Sequence, residues 1–152
     1  GRCAGIIKRP LLTNSGAMQI TVQTFVRAPI ERVWLAYTTP DEIVQWNAAS
    51  PDWHTTRAAV DLRVGGAFSS RMEAKDGSMG FDFAGTYTRV EAHRLIEYSF
   101  GDRVASVSFM QGDGGVTVAV VFEAETTFPP EQQRGGWQAI LDNFARYAER
   151  AV

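Results

Sequence analysis

The chain reads as an α+β protein in which a curved antiparallel sheet is covered by a long C-terminal helix. Two observations predict this. The apparent element order is one strand, two short helices, five or six strands joined by tight turns, then one helix, and helices set apart from a meander in this way belong to the α+β class. The final stretch, Pro129 to Val152, also carries a single deep apolar stripe. Measured from Trp137 at about 100° per residue, Ile140, Leu141, Phe144, Tyr147, Ala148 and Ala151 lie within about 80° of it. Gln138, Asp142, Asn143, Arg146, Glu149 and Arg150 fall on the other side, which is read as the solvent face. Such a stripe needs a broad apolar surface to lie on.

In order, residues 1–18 (GRCAGIIKRPLLTNSGAM) show neither strand nor helix period and are expected to be a flexible leader or expression remnant. Residues 19–152 are expected to form one domain. Gln19 to Arg27 alternates Ile20, Val22, Thr24 and Val26 with Thr21, Gln23 and Phe25, which predicts the first strand. Pro29 can open a helix, and Ile30, Val33, Trp34 and Tyr37 recur at helical spacing. A second short helix starts at Pro40 and clusters Ile43, Val44 and Trp46. Asn47 to Thr56 is polar and turn-rich and reads as a loop or a poorly formed strand edge.

From Ala67 onward the pattern is strand and turn. Phe68, Ser70, Met72 and Ala74 share one face of a strand that ends at Asp76-Gly77, a strong hairpin signal. Phe81, Phe83, Gly85 and Tyr87 share a face of the next, and Ile96, Tyr98 and Phe100 of the one after. Gly101-Asp102 leads to a strand with Ala105, Val107 and Phe109 inward, and Asp113-Gly114-Gly115 to one with Val116, Val118, Val120 and Phe122 inward. Pro129, Pro130 and Glu131 then mark the start of the long helix. Gly135-Gly136 costs about 1 kcal/mol per glycine inside a helix, so the pair is read as the point where the helix begins in earnest or passes close under another backbone.

With 152 residues the chain can bury a sizeable core without disulfides or metals. A net charge of -2 and a scatter of basic residues argue against a nucleic-acid partner, and no apolar run is long enough to span a membrane. Cys3 stands alone, so no intrachain disulfide is available and a cytoplasmic location is expected.

Several stretches, in this order and spacing, resemble a known family. They are APIERVW at Ala28 to Trp34, TTPDEIVQW at Thr38 to Trp46, DLRVGGAF at Asp61 to Phe68, Asp76-Gly77, FAGTYTRVEAHRLIEYSF at Phe83 to Phe100, and EQQRGGWQAILDNFARYAE at Glu131 to Glu149. The chain from Gln19 to Arg150 is similar to the START-like, or Bet v 1-like (SRPBCC), superfamily, and within it to the domain named after the activator of Hsp90 ATPase. The family often has a proline near Ala92-His93, which is missing here. The resemblance implies a helix-grip fold, with a sheet of about seven antiparallel strands wrapped around the C-terminal helix and an apolar cavity between them. It does not imply one chemistry, because such folds host lipid carriers, cyclases and co-chaperone domains alike.

No catalytic constellation is legible. His54 and His93 lie far apart in predicted loops, with no metal-ligand spacing to each other or to Cys3, so neither a metal nor another cofactor is expected. Asp82, Glu91, Glu97, Glu123 and Glu125 alternate with apolar residues, as on the solvated face of a sheet. The serines lack a nucleophile elbow, and the glycine pairs lack phosphate-loop spacing.

The aromatic residues are the candidate site. Trp46, Trp53, Phe68, Phe81, Phe83 and Tyr87 belong to faces that meet between sheet and helix, as do Tyr98, Phe109, Trp137 and Phe144, with Met72 and Leu141 beside them. They either fill a core or line a cavity, and a curved sheet cannot touch one straight helix across its whole width. Tyr87, Tyr98 and Ser70 would supply the few polar contacts. The expected partner is a small apolar molecule, lipid or aromatic, with a homodimer and a chaperone contact as further candidates. The competing functions are a chaperone-related interaction module and a cyclase-like or hydrolytic enzyme using the same cavity.

Overall fold

The computed structural model describes residues 18–150. The leader reading for residues 1–18 therefore lies outside the described residues except at Met18, as do Cys3 and Ala151. Met18 already belongs to the sheet ladder, since its carbonyl accepts the amide of Ala124 at 2.8 Å.

In chain order the elements are β1 (Gln19–Val26), α1 (Ile30–Thr38), α2 (Pro40–Trp46), β2 (Trp53–Val60), β3 (Ala67–Ala74), β4 (Gly80–Glu91), β5 (Leu95–Phe100), β6 (Arg103–Gly112), β7 (Gly115–Glu123) and α3 (Pro130–Arg150). One seven-stranded antiparallel sheet runs β1-β7-β6-β5-β4-β3-β2. The ladder shifts register between Thr55 and Arg57 and between Tyr87 and Arg89, and bulges of this kind increase local twist. The sheet curls into a half-barrel.

Most faces follow the alternation. Ala105, Val107, Phe109, Val116, Val118, Val120 and Phe122 are all buried. The departure is β2. Trp53 to Val60 is a full strand paired with β3, where the sequence suggested a loop or a ragged edge as far as Thr56. The bulge between Thr55 and Arg57 breaks period two in the middle of the strand, and an edge strand has little apolar patterning to reveal it.

Helix α3 lies along β1, the strand at one end of the sheet. Arg134 Nη1 donates to the carbonyl of Thr21 and Gln138 Nε2 to that of Gln23, both at 3.0 Å. The amide of Arg27 donates to Glu149 Oε2 at 2.8 Å. Polar side chains of the helix thus satisfy backbone groups of an edge strand that would otherwise be open to pairing with another chain. The apolar stripe turns inward from there. Trp137 stacks on Phe122 with ring centroids 3.9 Å apart and planes 7° from parallel, while Leu141, Phe144 and Ala148 are buried.

The supposed solvent face of α3 is only partly solvated. Asn143 is half-buried and donates from Nδ2 to the carbonyl of Ala48 at 2.5 Å, and Gln138 and Asp142 are also half-buried. Gln133 is buried and clamps the preceding loop: Oε1 accepts Glu125 N–H at 2.9 Å, and Nε2 donates to the carbonyls of Glu125 at 3.0 Å and Phe128 at 2.8 Å. On the other flank Glu42 of α2 gathers Arg32 of α1, at 2.6 Å, and the hydroxyl of Tyr147 of α3, at 2.9 Å. Glu123, expected on the solvated face, is instead 1% exposed and accepts the amide of Val104 at 2.9 Å. Its backbone stays in the ladder opposite Gln19, and the bond of its carboxylate to β6 accompanies a burial that strand parity does not report.

Neither reading of Gly135-Gly136 holds. The helix starts at Pro130, so both glycines lie within it, and a Cβ placed on either would meet nothing within 4 Å. Close approach occurs instead at Gly85, where a Cβ would lie 2.1 Å from the carbonyl of Ser99 and 2.9 Å from the ring of Phe68.

Two stability predictions follow from this packing. Phe144 is fully buried, with edge contacts to Tyr37 at 5.1 Å and Trp46 at 4.9 Å, so Phe144→Ala should cost about 3–5 kcal/mol in urea unfolding. Arg146→Ala, on an exposed residue of the next turn, should stay within about 0.5 kcal/mol. Gln133→Ala strands three backbone groups of the 125–128 loop and should cost about 1–3 kcal/mol; a loss below about 0.5 kcal/mol would show that water replaces the clamp.

Candidate functional site

Because α3 follows the β1 edge and α2 packs over β2 at the other, the curl of the sheet leaves a gap between them. This gap is a cavity of about 520 Å³. Its sheet wall carries Phe68, Met72, Phe81, Phe83, Tyr87 and Tyr98, and its helical wall carries Trp46, Trp137 and Leu141. Trp53, at the start of β2, also lines it, 5.9 Å from Phe81 between ring centroids. The rings lean on one another: Phe68 is 5.8 Å from Phe83 and 4.9 Å from Tyr98, and Phe83 is 6.1 Å from Trp137. Gly85 is what lets the ring of Phe68 lie flat against β4 in this wall.

Phe109 and Phe144 are not part of the lining. Phe109 meets Trp34 at 5.1 Å and Tyr37 at 5.6 Å, and Phe144 meets Tyr37 and Trp46, so both belong to the solid core beneath α1. Alternation put them on the correct face but not at the correct depth. Only the packing of α1 against β6 and β7 decides which part of that face is filled.

Residues not singled out from the sequence also line the cavity, notably Tyr37, Ile140 and Arg103. Each carried a signal. Tyr37 sits on the apolar face of α1, Ile140 on the α3 stripe, and Arg103 has the inward parity of Ala105, Val107 and Phe109. Arg103 lies with its guanidinium 4.5 Å above the ring of Phe100 and donates from Nη1 to the carbonyl of Glu123 at 3.0 Å. Among the described residues, no three His, Cys, Asp or Glu side chains gather in a group that could hold a metal.

Besides Arg103 and Asn47, the polar groups of the cavity are hydroxyls, and four of them lie among its aromatic rings. Tyr87 and Tyr98 face each other across β4 and β5 and are 7% and 8% exposed, and Tyr37 reaches the same space from α1. Ser70, 6% exposed, lies on the neighbouring strand. None of the four hydroxyls has a hydrogen-bond partner among the described residues. They are not sealed in: among the described residues, the fully enclosed side-chain nitrogen or oxygen atoms without a hydrogen bond lie elsewhere, on Arg32, whose Nη2 is ion-paired with Glu42. Within the chain these hydroxyls therefore gain no hydrogen bond, and an apolar molecule that shut them off from water would incur about 1–3 kcal/mol for each one left unpaired.

Burial pushes the phenol of Tyr87 up to about 12, with the negative charge of Asp61 adding to the shift. Burial also raises Tyr37 and Tyr98, Tyr37 with a contribution from Tyr87, and Tyr98 with contributions from both other phenols that Arg103 partly offsets. All three are therefore neutral hydrogen-bond donors throughout the physiological range.

The sequence pattern of the family described as Activator of Hsp90 ATPase homolog 1-like protein matches residues 27–149. No curated protein matches the chain. Among solved structures, the solution NMR structure of the AHSA1-like protein from Aeromonas hydrophila is 51% identical, covers 88% of this chain and 94% of its own, and superposes with a TM-score of 0.84. A protein from Cytophaga hutchinsonii is 42% identical over 89% of this chain and 93% of its own, with a TM-score of 0.73. Another from Chromobacterium violaceum is 25% identical over 86% and 96%, with a TM-score of 0.77. With its seven-stranded sheet gripping a C-terminal helix and a family match across nearly all of that fold, the chain belongs to the Activator of Hsp90 ATPase homolog 1-like protein family.

Proposed function

We propose that the chain binds a small apolar molecule, lipid or aromatic, in the cavity between the sheet and α3. The observation that carries this reading is the cavity itself: about 520 Å³, walled by aromatic and aliphatic side chains with a few convergent hydroxyls. Close-packed interiors leave few voids larger than a water molecule, and pockets of this size and composition are the usual small-molecule sites. The ligand-contacting residues in this reading are Trp46, Trp53, Phe68, Met72, Phe81 and Phe83 on one side, with Tyr87, Tyr98, Trp137 and Leu141 completing the wall.

Gly136 supports the same reading. It lines the cavity from within α3, and its Cα faces open space at a position where alanine would be about 1 kcal/mol more favourable. The absence of a side chain there leaves room beside Trp137. A second reading, contact with a chaperone, draws on the family's description alone.

The test couples stability to occupancy. Native mass spectrometry of freshly purified protein is expected to show a retained small molecule. Apolar ligands from a lipid and aromatic panel should quench or shift emission from Trp137 and raise the melting temperature by mass action. Gly136→Leu should raise the melting temperature of the free protein while abolishing that response, because the new side chain fills the space the ligand needs. If no compound changes fluorescence or melting temperature and nothing is retained, the carrier reading falls, and a several-fold rise in the ATPase rate of an added Hsp90 would favour the second.

A further inference from the structure

The hydroxyls of Tyr37, Tyr87 and Tyr98 come from three separate elements, α1, β4 and β5, into one apolar cavity. Tyr87 and Tyr98 are direct cross-strand partners, which brings their side chains side by side on the concave face. Tyr98 is more than nine-tenths buried, its ring held by Phe68 at 4.9 Å and by Phe100 at 5.6 Å, so its hydroxyl has a fixed place. Phenylalanine would pack these rings equally well. Nothing among the described residues accepts their hydrogen bonds, and the atoms are reachable from the cavity. Ser70 adds a fourth hydroxyl on the next strand.

We infer that the tyrosine cluster is a recognition site for an oxygen acceptor, so that the ligand is an apolar body ending in a carbonyl or carboxylate oxygen seated at Tyr37 and Tyr98, with Tyr87 beside them. This rests on the cavity reading and narrows it from any apolar molecule to one with a polar end. Neutral phenols select an acceptor and give nothing to a pure hydrocarbon, which would leave the hydroxyls dehydrated and unpaired. Arg103, at the cavity wall beside Phe100, makes the same end tolerant of negative charge.

Two compounds of nearly equal shape test it: 2-acetylnaphthalene, which carries a carbonyl oxygen, and 2-ethylnaphthalene, which does not. Binding is measured by NMR titration of the wild-type chain and of Tyr98→Phe, Tyr37→Phe and the double variant. The wild type should prefer the ketone by about tenfold, the return of one or two hydrogen bonds to a neutral acceptor. The single variants should reduce that preference, and the double variant should bring it below about twofold, with the ketone bound more weakly and the hydrocarbon bound as tightly or more tightly, because no hydroxyl is left stranded against it. Because each substitution removes only an oxygen without a partner, the melting temperatures of the free variants should hold or rise. Equal affinity for both compounds in the wild type, a preference that survives in the double variant, or a marked fall in melting temperature of Tyr98→Phe would each overturn the inference while leaving the cavity reading intact. Failure of both compounds to bind the wild type would remove the cavity reading and this inference together.

Discussion

The fit between a curled sheet and a straight helix governs this molecule. Seven antiparallel strands with two bulges curl, and a 21-residue helix can follow only one line across the concave surface. That line is set at the β1 edge by the stack of Trp137 on Phe122 and by the donors Arg134 and Gln138 to β1 carbonyls. With α3 committed there, α1 fills the space beneath its C-terminal half, where Phe109, Tyr37, Trp46 and Phe144 form a solid aromatic cluster. Toward its N-terminal half, Gly136, Trp137 and Ile140 line the cavity instead.

The two halves of α3 consequently do different work. Phe144, Ala145 and Ala148 close a core that holds the helix in place, whereas Gly136, Trp137, Ile140 and Leu141 form a wall with space on the far side. The polar side chains that flank the stripe are also structural. Gln133 ties the incoming loop to the first turn, Asn143 holds the chain after α2 by the carbonyl of Ala48, and Glu42 joins three helices through Arg32 and Tyr147. Each satisfies groups that the irregular connections leave without partners, and buried backbone groups need such partners. The connections around α3 are therefore held by specific hydrogen bonds, and the cavity walls by packing.

The hydroxyls in the interior follow the opposite logic. A protein selected for stability alone would place phenylalanine at Tyr98 and Tyr87, since the rings are already well packed and the oxygens gain nothing within the chain. Their surroundings keep them protonated, and they line the cavity between the sheet and α3. Locally unfavourable choices of this kind concentrate where a protein meets something outside itself.

Element types and inward faces were determined by the sequence alone, because period-two and period-3.6 patterns respond to whether a residue sees water, and Ile96, Tyr98, Val118 and Leu141 see none. The same patterns identified the aromatic residues that line the cavity, along with two, Phe109 and Phe144, that do not. Periodicity reports which side a residue faces and is blind to how far away the opposite wall stands. Strand β2 was hidden because its bulge interrupts the alternation, and Glu123 was misplaced because its carboxylate bonds to the neighbouring strand, which parity does not report. The tertiary structure alone decided where α3 crosses the sheet, which half of the concave face is filled by α1, and that Tyr37 joins Tyr87 and Tyr98 in one space. These depend on the curl of the whole sheet, a sum of small twists over seven strands that no local window of sequence contains.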